Sequence, residues 1–243
     1  MKIASVVKRI KPTINENIED IKQGMKEAKN NGADLVLFSE CSLSGFIVGE
    51  NVLMDRKVAM KATDKRIYDL CAYAKELQIN VGIGFLENKD GGFYDSYAII
   101  LKDGTIKEIY QRCSDTWHIK DKGGMYLEGE AVRSLVVDGL CITILICGDL
   151  FDDVLCAMIS ALETDLCIVP MARCFDKPAT EKMWLEEEKE YIERVKLTET
   201  NVLLVNQLMD KENYFGGVSA ITYNGTVESR LPINTEGIHY LDI

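Results

Sequence analysis

The sequence predicts one α/β domain in which parallel and antiparallel strands occur together. Short apolar runs alternate with longer segments whose apolar residues recur at helical spacing, an alternation typical of parallel crossover units. Asp-Gly and Asn-Gly turns between other apolar runs predict antiparallel hairpins. Because no Pro-, Gly- or Ser-rich linker interrupts this series, we expect a single domain over residues 1–243.

Each element of the N-terminal half follows from the spacing of its apolar residues. Short apolar runs indicate strands, and an apolar residue at every third or fourth position indicates a helix. A hairpin is marked by Asp103-Gly104, a dipeptide that favours a tight turn. In chain order the predicted elements are a strand at residues 3–7, a helix from 14 to the Asn-Asn-Gly stop at 30–32, a strand at 34–38, a helix from about 64 to 77, and strands at 80–85, 94–102 and 105–110.

The C-terminal half continues the alternation and ends in a second hairpin at Asn224-Gly225. Its most apolar run, residues 140–147, predicts a buried strand that leads directly into a helix-like segment. Trp184 is expected to pack in the core, and the charge run at 186–190 to form one solvated helix face. The other predicted elements are a helix at 154–162, a strand at 166–170, a long charged helix at about 179–200, a strand at 202–206, hairpin strands at 218–223 and 226–230, and a short strand near 239–242.

Charge and hydropathy exclude two classes of partner. The chain carries 39 acidic and 28 basic residues, a formal net charge of −11, and no cluster of Lys and Arg interrupts it. Such a surface repels nucleic acid and anionic membranes, so neither is an expected partner. No segment approaches the roughly 18 apolar residues that cross a bilayer, and the N-terminal apolar stretch is too short for a signal peptide. We therefore expect a cytoplasmic protein.

The eight cysteines predict reduced thiols rather than a disulfide framework. Several lie within apolar strand or helix patterns, in a chain much longer than disulfide-stapled scaffolds. No CxxC pair occurs, and His118 and His239 are the only histidines, so the ligand spacing of a metal site is missing. We therefore expect no metal. The scarcity of histidine also disfavours a Cys-His or Ser-His-Asp relay.

Cys147 is the cysteine whose position favours chemistry. It closes the apolar run at 140–147 and is followed by Gly148-Asp149, which places the thiol at a strand-to-helix turn. The positive end of a helix dipole stabilises a thiolate there, and a thiolate is an effective nucleophile. The alternative interpretation is a buried cysteine that acts as a small hydrophobic residue.

Glu40 follows the strand-like run at 34–38 and enters a loop of small residues, where a solvated glutamate is the alternative interpretation. Together with Cys147, this segment resembles the carbon-nitrogen hydrolase or nitrilase superfamily, which has a strand-terminal glutamate after a GAD-hydrophobic stretch and a Gly-aromatic pair five residues later. Further segments that match the family in order are Asn17 and its helix, Tyr94-Asp95-Ser96, Asp103-Gly104, Tyr110, Ile146-Cys147-Gly148-Asp149, Val169-Pro170, Phe215-Gly216-Gly217-Val218-Ser219 and Asn224-Gly225.

The resemblance implies a four-layer α-β-β-α sandwich and a catalytic set of Glu, Lys and Cys that uses no metal or organic cofactor. Glu40 would act as general base, and Cys147 would form a thioester with the acyl group of a small amide or carbamoyl compound. It also implies a homodimer or a higher homo-oligomer. The residues that it places along the substrate pocket are Gly148, Asp149, Met171, Ala172 and Arg173.

Two positions depart from the family pattern. Arg112 stands where the family has its lysine, and arginine keeps the charge but does not release a proton near neutral pH. Lys120 and Lys122 are alternative amines, although a solvated loop position suits both better. The assisting glutamate of many members is replaced by glycine, with Glu128 as a weak substitute.

Two functions therefore remain open. The first is a thiol amidohydrolase that cleaves a nonpeptide C–N bond, with Cys147 as nucleophile, Glu40 as base and Arg112 as the cation at the oxyanion. The second is a catalytically impaired relative that binds a small molecule or a protein partner. Arg112 is the feature that discriminates between them.

Overall fold

Two β-sheets form the middle of the molecule, and helices cover their outer faces. The computed structural model describes residues 1–45, 49–120, 123–174, 180–208 and 216–243. Within these residues, twelve strands form two six-stranded sheets and five α-helices flank them. The α-β-β-α sandwich expected from the resemblance is confirmed. In chain order the elements are β1 (Lys2–Val7), α1 (Ile14–Asn30), β2 (Leu35–Leu37), α2 (Val52–Val58), α3 (Lys65–Leu77), β3 (Asn80–Lys89), β4 (Gly92–Ile100), β5 (Ile106–Gln111), β6 (Leu135–Val137), β7 (Leu140–Ile144), α4 (Asp153–Ala161), β8 (Leu166–Pro170), α5 (Glu181–Thr198), β9 (Val202–Val205), β10 (Val218–Ile221), β11 (Val227–Leu231) and β12 (Gly237–Asp242).

Each sheet contains both parallel and antiparallel strands, as the combination of crossover helices and tight turns predicts. The first sheet has the order β12-β1-β2-β3-β4-β5, and the second has the order β11-β10-β9-β8-β7-β6. Each contains a central parallel trio, β1-β2-β3 in one and β7-β8-β9 in the other, extended by antiparallel strands. The turns after β2 and β7 therefore follow the ends of parallel strands.

Apolar side chains on both faces of each sheet hold the layers together. Leu37 of β2 and Ile142 of β7 belong to one buried cluster that fills the space between the sheets and continues beneath α4 and α5. A second cluster joins the outer face of the first sheet to α1 and α3 through residues such as Met25 and Leu70. Burial of this apolar surface is the main stabilising contribution to the fold.

Polar side chains set where the helices begin. Thr13 accepts a hydrogen bond from the N–H of Glu16, and Asp64 accepts one from Arg66, so that each caps the first turn of its helix. Asp152 caps α4 in the same way. Within the described residues, no helix is both long enough and apolar enough to cross a bilayer. All eight cysteines are described, and all are free thiols.

Three local details differ from the sequence-based expectations. Helix α2 was not expected, because its seven residues leave Leu53 and Met54 exposed and present no apolar face. Strand β7 ends at Ile144, three residues before Cys147, because the N–H of Ile146 donates to the Asp149 carboxylate instead of to a neighbouring strand. Residues Phe46 and Phe215 of the family motifs, and Lys122, lie outside the described residues.

The charge run on α5 is not one solvated face, so that prediction is wrong. Glu188 is only 2% exposed and accepts hydrogen bonds from Ser219 at 2.6 Å and Arg230 at 2.5 Å. These contacts tie α5 to the hairpin of β10 and β11. Trp184 is buried against Tyr191, as expected of a core residue.

Gly84 on β3 passes so close to the turn after β2 that any side chain would overlap the backbone of Glu40 and Ser39. We expect Gly84→Ala to lower the free energy of unfolding by about 1–3 kcal/mol, the usual cost of overpacking. Urea denaturation measures this, with Gly237→Ala as control, because an added carbon there meets Leu231 at an ordinary 3.4 Å. Equal stability of the two variants would contradict the close packing at Gly84.

Candidate active site

Glu40 lies in the turn that follows β2, where the ends of the two sheets meet. Its backbone N–H is 3.4 Å from the carbonyl oxygen of Met171, which follows β8 in the opposite sheet. The side chain is 5% exposed, and Oε1 accepts a hydrogen bond of 2.8 Å from Nη1 of Arg112. Oε2 is also buried and has no hydrogen-bond partner among the described residues. Glu40 is therefore a buried carboxylate with one oxygen available, not a solvated loop residue.

Arg112 directly follows β5 and is 4% exposed. Its Nε donates to Ser114 at 2.9 Å, and its Nη2 donates to Thr116 at 2.8 Å, so the guanidinium plane is held along two edges. Burial acts to lower the pKa of Arg112, but the charges of Glu40 and Cys147 more than offset this and raise it above its ordinary value. The guanidinium is thus a fixed positive charge that donates hydrogen bonds and does not transfer a proton.

Cys147 lies at the start of a short 3-10 turn, residues 147–151, that follows β7. Its backbone is in the left-handed region, with φ of 44°, which is costly for a residue with a side chain and holds the half-buried thiol in a fixed direction. Burial raises the pKa of the thiol, and Glu40 raises it further, whereas Arg112 and a backbone hydrogen bond from Ala172 lower it by less. The pKa of the thiol therefore lies above its ordinary value, opposite to the direction expected from a helix dipole.

Asp149 holds the Cys147 turn in place. Its carboxylate is fully buried and accepts hydrogen bonds from the Tyr110 hydroxyl at 2.7 Å and from the backbone N–H groups of Cys113, Ser114 and Ile146 at 2.7–3.1 Å. These bonds join the segment after β5, which carries the cation, to the turn that carries the thiol. Asp149 was expected beside the substrate, but its oxygens are occupied by the protein and it does not line the cavity.

An open cavity of about 780 Å³ lies in front of the thiol. At Gly148 a side chain would overlap Nη2 of Arg112, so the missing side chain lets the guanidinium reach the cavity wall. The described residues that line it are Arg112, Thr116, Cys147, Gly148, Phe151, Arg173, Met183, Glu186, Glu187, Lys189, Glu190 and Tyr191.

The segment after β8 contributes unequally to this site. Arg173 lines the cavity, and its guanidinium binds Glu187 of α5 through two hydrogen bonds, of 2.8 and 3.0 Å. Ala172 acts through its backbone hydrogen bond to the thiol. Met171 is 1% exposed and bonds the Glu40 backbone, so neither Met171 nor the Ala172 side chain faces the cavity.

A buried carboxyl, a guanidinium and a thiol thus converge from three segments at the end of a two-sheet sandwich. The model of the family described as Carbon-nitrogen hydrolase matches residues 2–243. The chain belongs to the carbon-nitrogen hydrolase family. This agrees with the resemblance inferred from the sequence motifs.

Solved structures with the same fold share little sequence with this carbon-nitrogen hydrolase. A mutant of the Nesterenkonia AN1 amidase from the nitrilase superfamily superposes with a TM-score of 0.84 at 17% identity, covering 100% of this chain and 90% of the other. Another mutant of that amidase, with a TM-score of 0.85 and 16% identity over the same shares, shows covalent addition of the acetamide moiety of fluoroacetamide at its active site cysteine. The glutamine-dependent NAD+ synthetase of Acinetobacter baumannii, in complex with ADP, has a TM-score of 0.80 at 22% identity and covers 98% and 44% of the two chains.

Two curated relatives are glutamine-dependent NAD(+) synthetases. The glutamine-dependent NAD(+) synthetase of Acinetobacter baylyi is 22% identical over 233 residues, which are 93% of this chain and 41% of the relative. The corresponding synthetase of Thermotoga maritima is 22% identical over 150 residues, 60% of this chain and 25% of its own length. This carbon-nitrogen hydrolase chain spans less than half the length of these curated relatives.

Lys120 and Glu128, the sequence-based alternatives for the family lysine and the assisting glutamate, do not line this cavity. Lys120 is exposed and does not line the cavity of this carbon-nitrogen hydrolase. Glu128 binds His118 at 2.7 Å and lines a different cavity, of about 290 Å³. Among the described candidates, Arg112 is therefore the cation next to Glu40.

Asp95 is a site residue that the sequence analysis did not single out. It is 2% exposed on β4, its Oδ2 lies 3.5 Å from Nη1 of Arg112, and one of its carboxyl oxygens lies within 4.8 Å of a carboxyl oxygen of Glu40. Burial and the charge of Glu40 raise the pKa of Asp95 well above its ordinary value. Its position in the quoted Tyr94-Asp95-Ser96 motif was the available signal, but the motif does not reveal that β4 and β2 place their acids together.

Oxygen and sulfur ligands of Glu40, Cys41 and Asp95 lie within 4.8 Å of one another, the spacing of a metal site. Within the described residues this is the one such group of three or more His, Cys, Asp or Glu side chains. The guanidinium of Arg112 donates to both carboxyls, so a permanent cation already occupies the position that a metal ion would need. These residues do not fit a metal.

The charge of Glu40 is predicted to suppress thiolate formation at Cys147. Because Glu40 raises the pKa of the thiol, Glu40→Gln, which keeps an acceptor for Arg112, is expected to lower that pKa and to speed alkylation of Cys147 by iodoacetamide several-fold at pH 8. Peptide mass spectrometry measures labelling at Cys147 separately from the other thiols. Glu87→Gln, at a buried glutamate bound to Ser96 and Gln111, is the control and should leave the rate unchanged. Equal rates in all three proteins would contradict the electrostatic coupling.

Proposed function

We propose that this carbon-nitrogen hydrolase cleaves the C–N bond of a small carboxamide through a thioester at Cys147. The observation that carries the proposal is the convergence of Glu40, Arg112 and Cys147 beside an open cavity. The covalent acetamide adduct at the cysteine of the Nesterenkonia amidase and the glutamine-dependent relatives support an amide as the substrate class.

Acylation begins with transfer of the thiol proton to Glu40. Oε2 of Glu40 is the acceptor, because Oε1 is held by Arg112 and Oε2 has no described partner. The sulfur electron pair attacks the amide carbon, forming the S–C bond and moving the carbonyl electrons to oxygen. When the tetrahedral intermediate collapses, the C–N bond breaks and Glu40 returns its proton to the departing ammonia.

Deacylation uses the same groups in reverse. Glu40 takes a proton from water, the hydroxide oxygen attacks the thioester carbon, and the C–S bond breaks as the proton returns to sulfur. The balance is one amide and one water consumed, one carboxylic acid and one ammonia released. The need for a base in both half-reactions follows from the raised pKa of the Cys147 thiol.

Arg112 stabilises the negative oxygen of the tetrahedral intermediate. Its Nη2 lies beside Gly148 at the cavity wall, and that nitrogen carries a second N–H besides the one donated to Thr116. A permanent cation with an available donor suits an oxyanion, and it needs no proton transfer of its own. Proton transfer stays with Glu40.

Acylation of Cys147 tests the proposal directly. Incubation of the protein with acetamide, propionamide and L-glutamine is expected to release ammonia and to add one acyl group in intact mass spectra of acid-quenched wild-type protein. Glu40→Gln should slow both, because each half-reaction then lacks its base. Cys147→Ala should give neither product. Absence of any adduct across a wider amide panel would favour the second hypothesis, an impaired relative that binds a small molecule or a protein partner.

We predict that Arg112 serves this site better than a lysine would. Arg112→Lys is expected to lower kcat/KM by about 10- to 100-fold, because a single ammonium cannot bind Glu40, Ser114 and Thr116 at once while facing the oxyanion. Steady-state kinetics on the best amide measures the loss, and circular dichroism checks folding. Faster turnover by Arg112→Lys would show that the arginine marks a decayed site.

The assembly and the compartment stay predictions. A homodimer or higher homo-oligomer, the lack of nucleic acid and membrane partners, and a cytoplasmic location are expected from the sequence and the resemblance. Sedimentation of the purified chain measures the first of these.

A further inference from the structure

Two buried carboxyl groups share one guanidinium in the candidate active site. If both were ionised, their negative charge would exceed the positive charge of Arg112. Nη1 of Arg112 lies 2.8 Å from Glu40 and 3.5 Å from Asp95, so one donor group serves two carboxyls. Both acids are at most 5% exposed. Two ionised carboxylates this close repel each other strongly when water is excluded.

A single proton resolves this imbalance. If one carboxyl is protonated, its O–H donates to the other and repulsion becomes a hydrogen bond, as in carboxyl pairs that share a proton. Asp95 is the better carrier, because Arg112 is closer to Glu40 and stabilises the charge there. Burial and Glu40 likewise raise the pKa of Asp95. The described titratable and charged groups that face Asp95 are Glu40 and Cys41 from the turn after β2, Arg112 from the end of β5, and Cys147 and Asp149 from the Cys147 turn.

Asp149 does not compete for this proton. Its carboxylate accepts four hydrogen bonds from the protein, whereas the Asp95 side chain accepts one long contact, of 3.5 Å from Arg112, among the described residues. Asp95 is also absent from the cavity lining, so it reaches substrate only through Glu40 and Arg112.

We propose that Asp95 is a positioning residue that stays protonated at neutral pH and holds the ionised Glu40 by a carboxyl–carboxylate hydrogen bond. This role rests on the proposed amidohydrolase function. It supplies, from β4, a second buried carboxyl beside Glu40. The hydrogen bond keeps Glu40 in one orientation while its proton is exchanged with the thiol, the leaving amine and water.

Asp95→Asn and Asp95→Ala separate this role from simple packing. Asparagine has the same shape and a permanent N–H donor, so kcat near neutral pH should stay close to that of the wild type. In the wild type, kcat should decline at alkaline pH as Asp95 loses its proton. Asparagine cannot ionise, so this decline should disappear in Asp95→Asn. Asp95→Ala lacks the donor and should lower kcat at least about tenfold with little change in KM. Glu87→Gln replaces another buried carboxyl, on β3, by an amide. As the control, it should keep the wild-type pH profile.

Infrared difference spectroscopy of the substrate-free protein tests the proton itself. Subtracting the Asp95→Asn spectrum from the wild-type spectrum at neutral pH should leave the carbonyl band of a protonated carboxylic acid, which vanishes at alkaline pH. A difference spectrum with only carboxylate bands would overturn the proposal, as would an unaltered pH profile in Asp95→Asn. Because this measurement needs no turnover, the band can be present even if no amide acylates Cys147, and the failures of the two proposals are distinguishable.

Discussion

The buried ion pair between Glu40 and Arg112 is the interaction on which the rest of the site depends. Each side chain is at most 5% exposed, so loss of Arg112 would leave an uncompensated carboxylate in the interior, at a cost of about 3–5 kcal/mol. The pair connects the turn after β2 to the end of β5. Through Nη2 beside Gly148 it also reaches the second sheet, so one guanidinium connects the segments that carry Glu40, Arg112 and Cys147.

The same electrostatic arrangement determines how the nucleophile can work. A thiol that is half-buried near two acids is disfavoured as a thiolate, and the nearby guanidinium lowers the pKa by less than burial and Glu40 raise it. The site therefore differs from cysteine enzymes that hold a ready thiolate. In the proposed reaction, sulfur becomes nucleophilic only as its proton leaves. Attack is then coupled to proton transfer to Glu40, which gives the orientation of Glu40 its importance.

Much of this architecture was accessible from local patterns. The helices α1, α3 and α4 and most strands follow apolar periodicity and capping residues, which act over a few neighbouring positions. Glu40, Arg112 and Cys147 were found because each stands at the end of a strand-like run within a recognisable motif. Two errors arose where a side chain overrode the local apolar pattern. Ser219 and Arg230, distant in sequence, bury Glu188 on α5, and the carboxylate of Asp149, a near neighbour in sequence, ends β7 before Cys147.

The sequence by itself determined the α/β class, the family, the acidic and histidine-poor composition, and the three residue types available for catalysis. These properties depend on composition and on short-range order along the chain. Only the tertiary structure decided that Asp95 lies beside Glu40, that Asp149 holds the Cys147 turn instead of facing substrate, and that the thiol pKa rises. Proximity between residues tens of positions apart, and the burial that makes their charges interact, exist only after the strands have paired and the two sheets have packed.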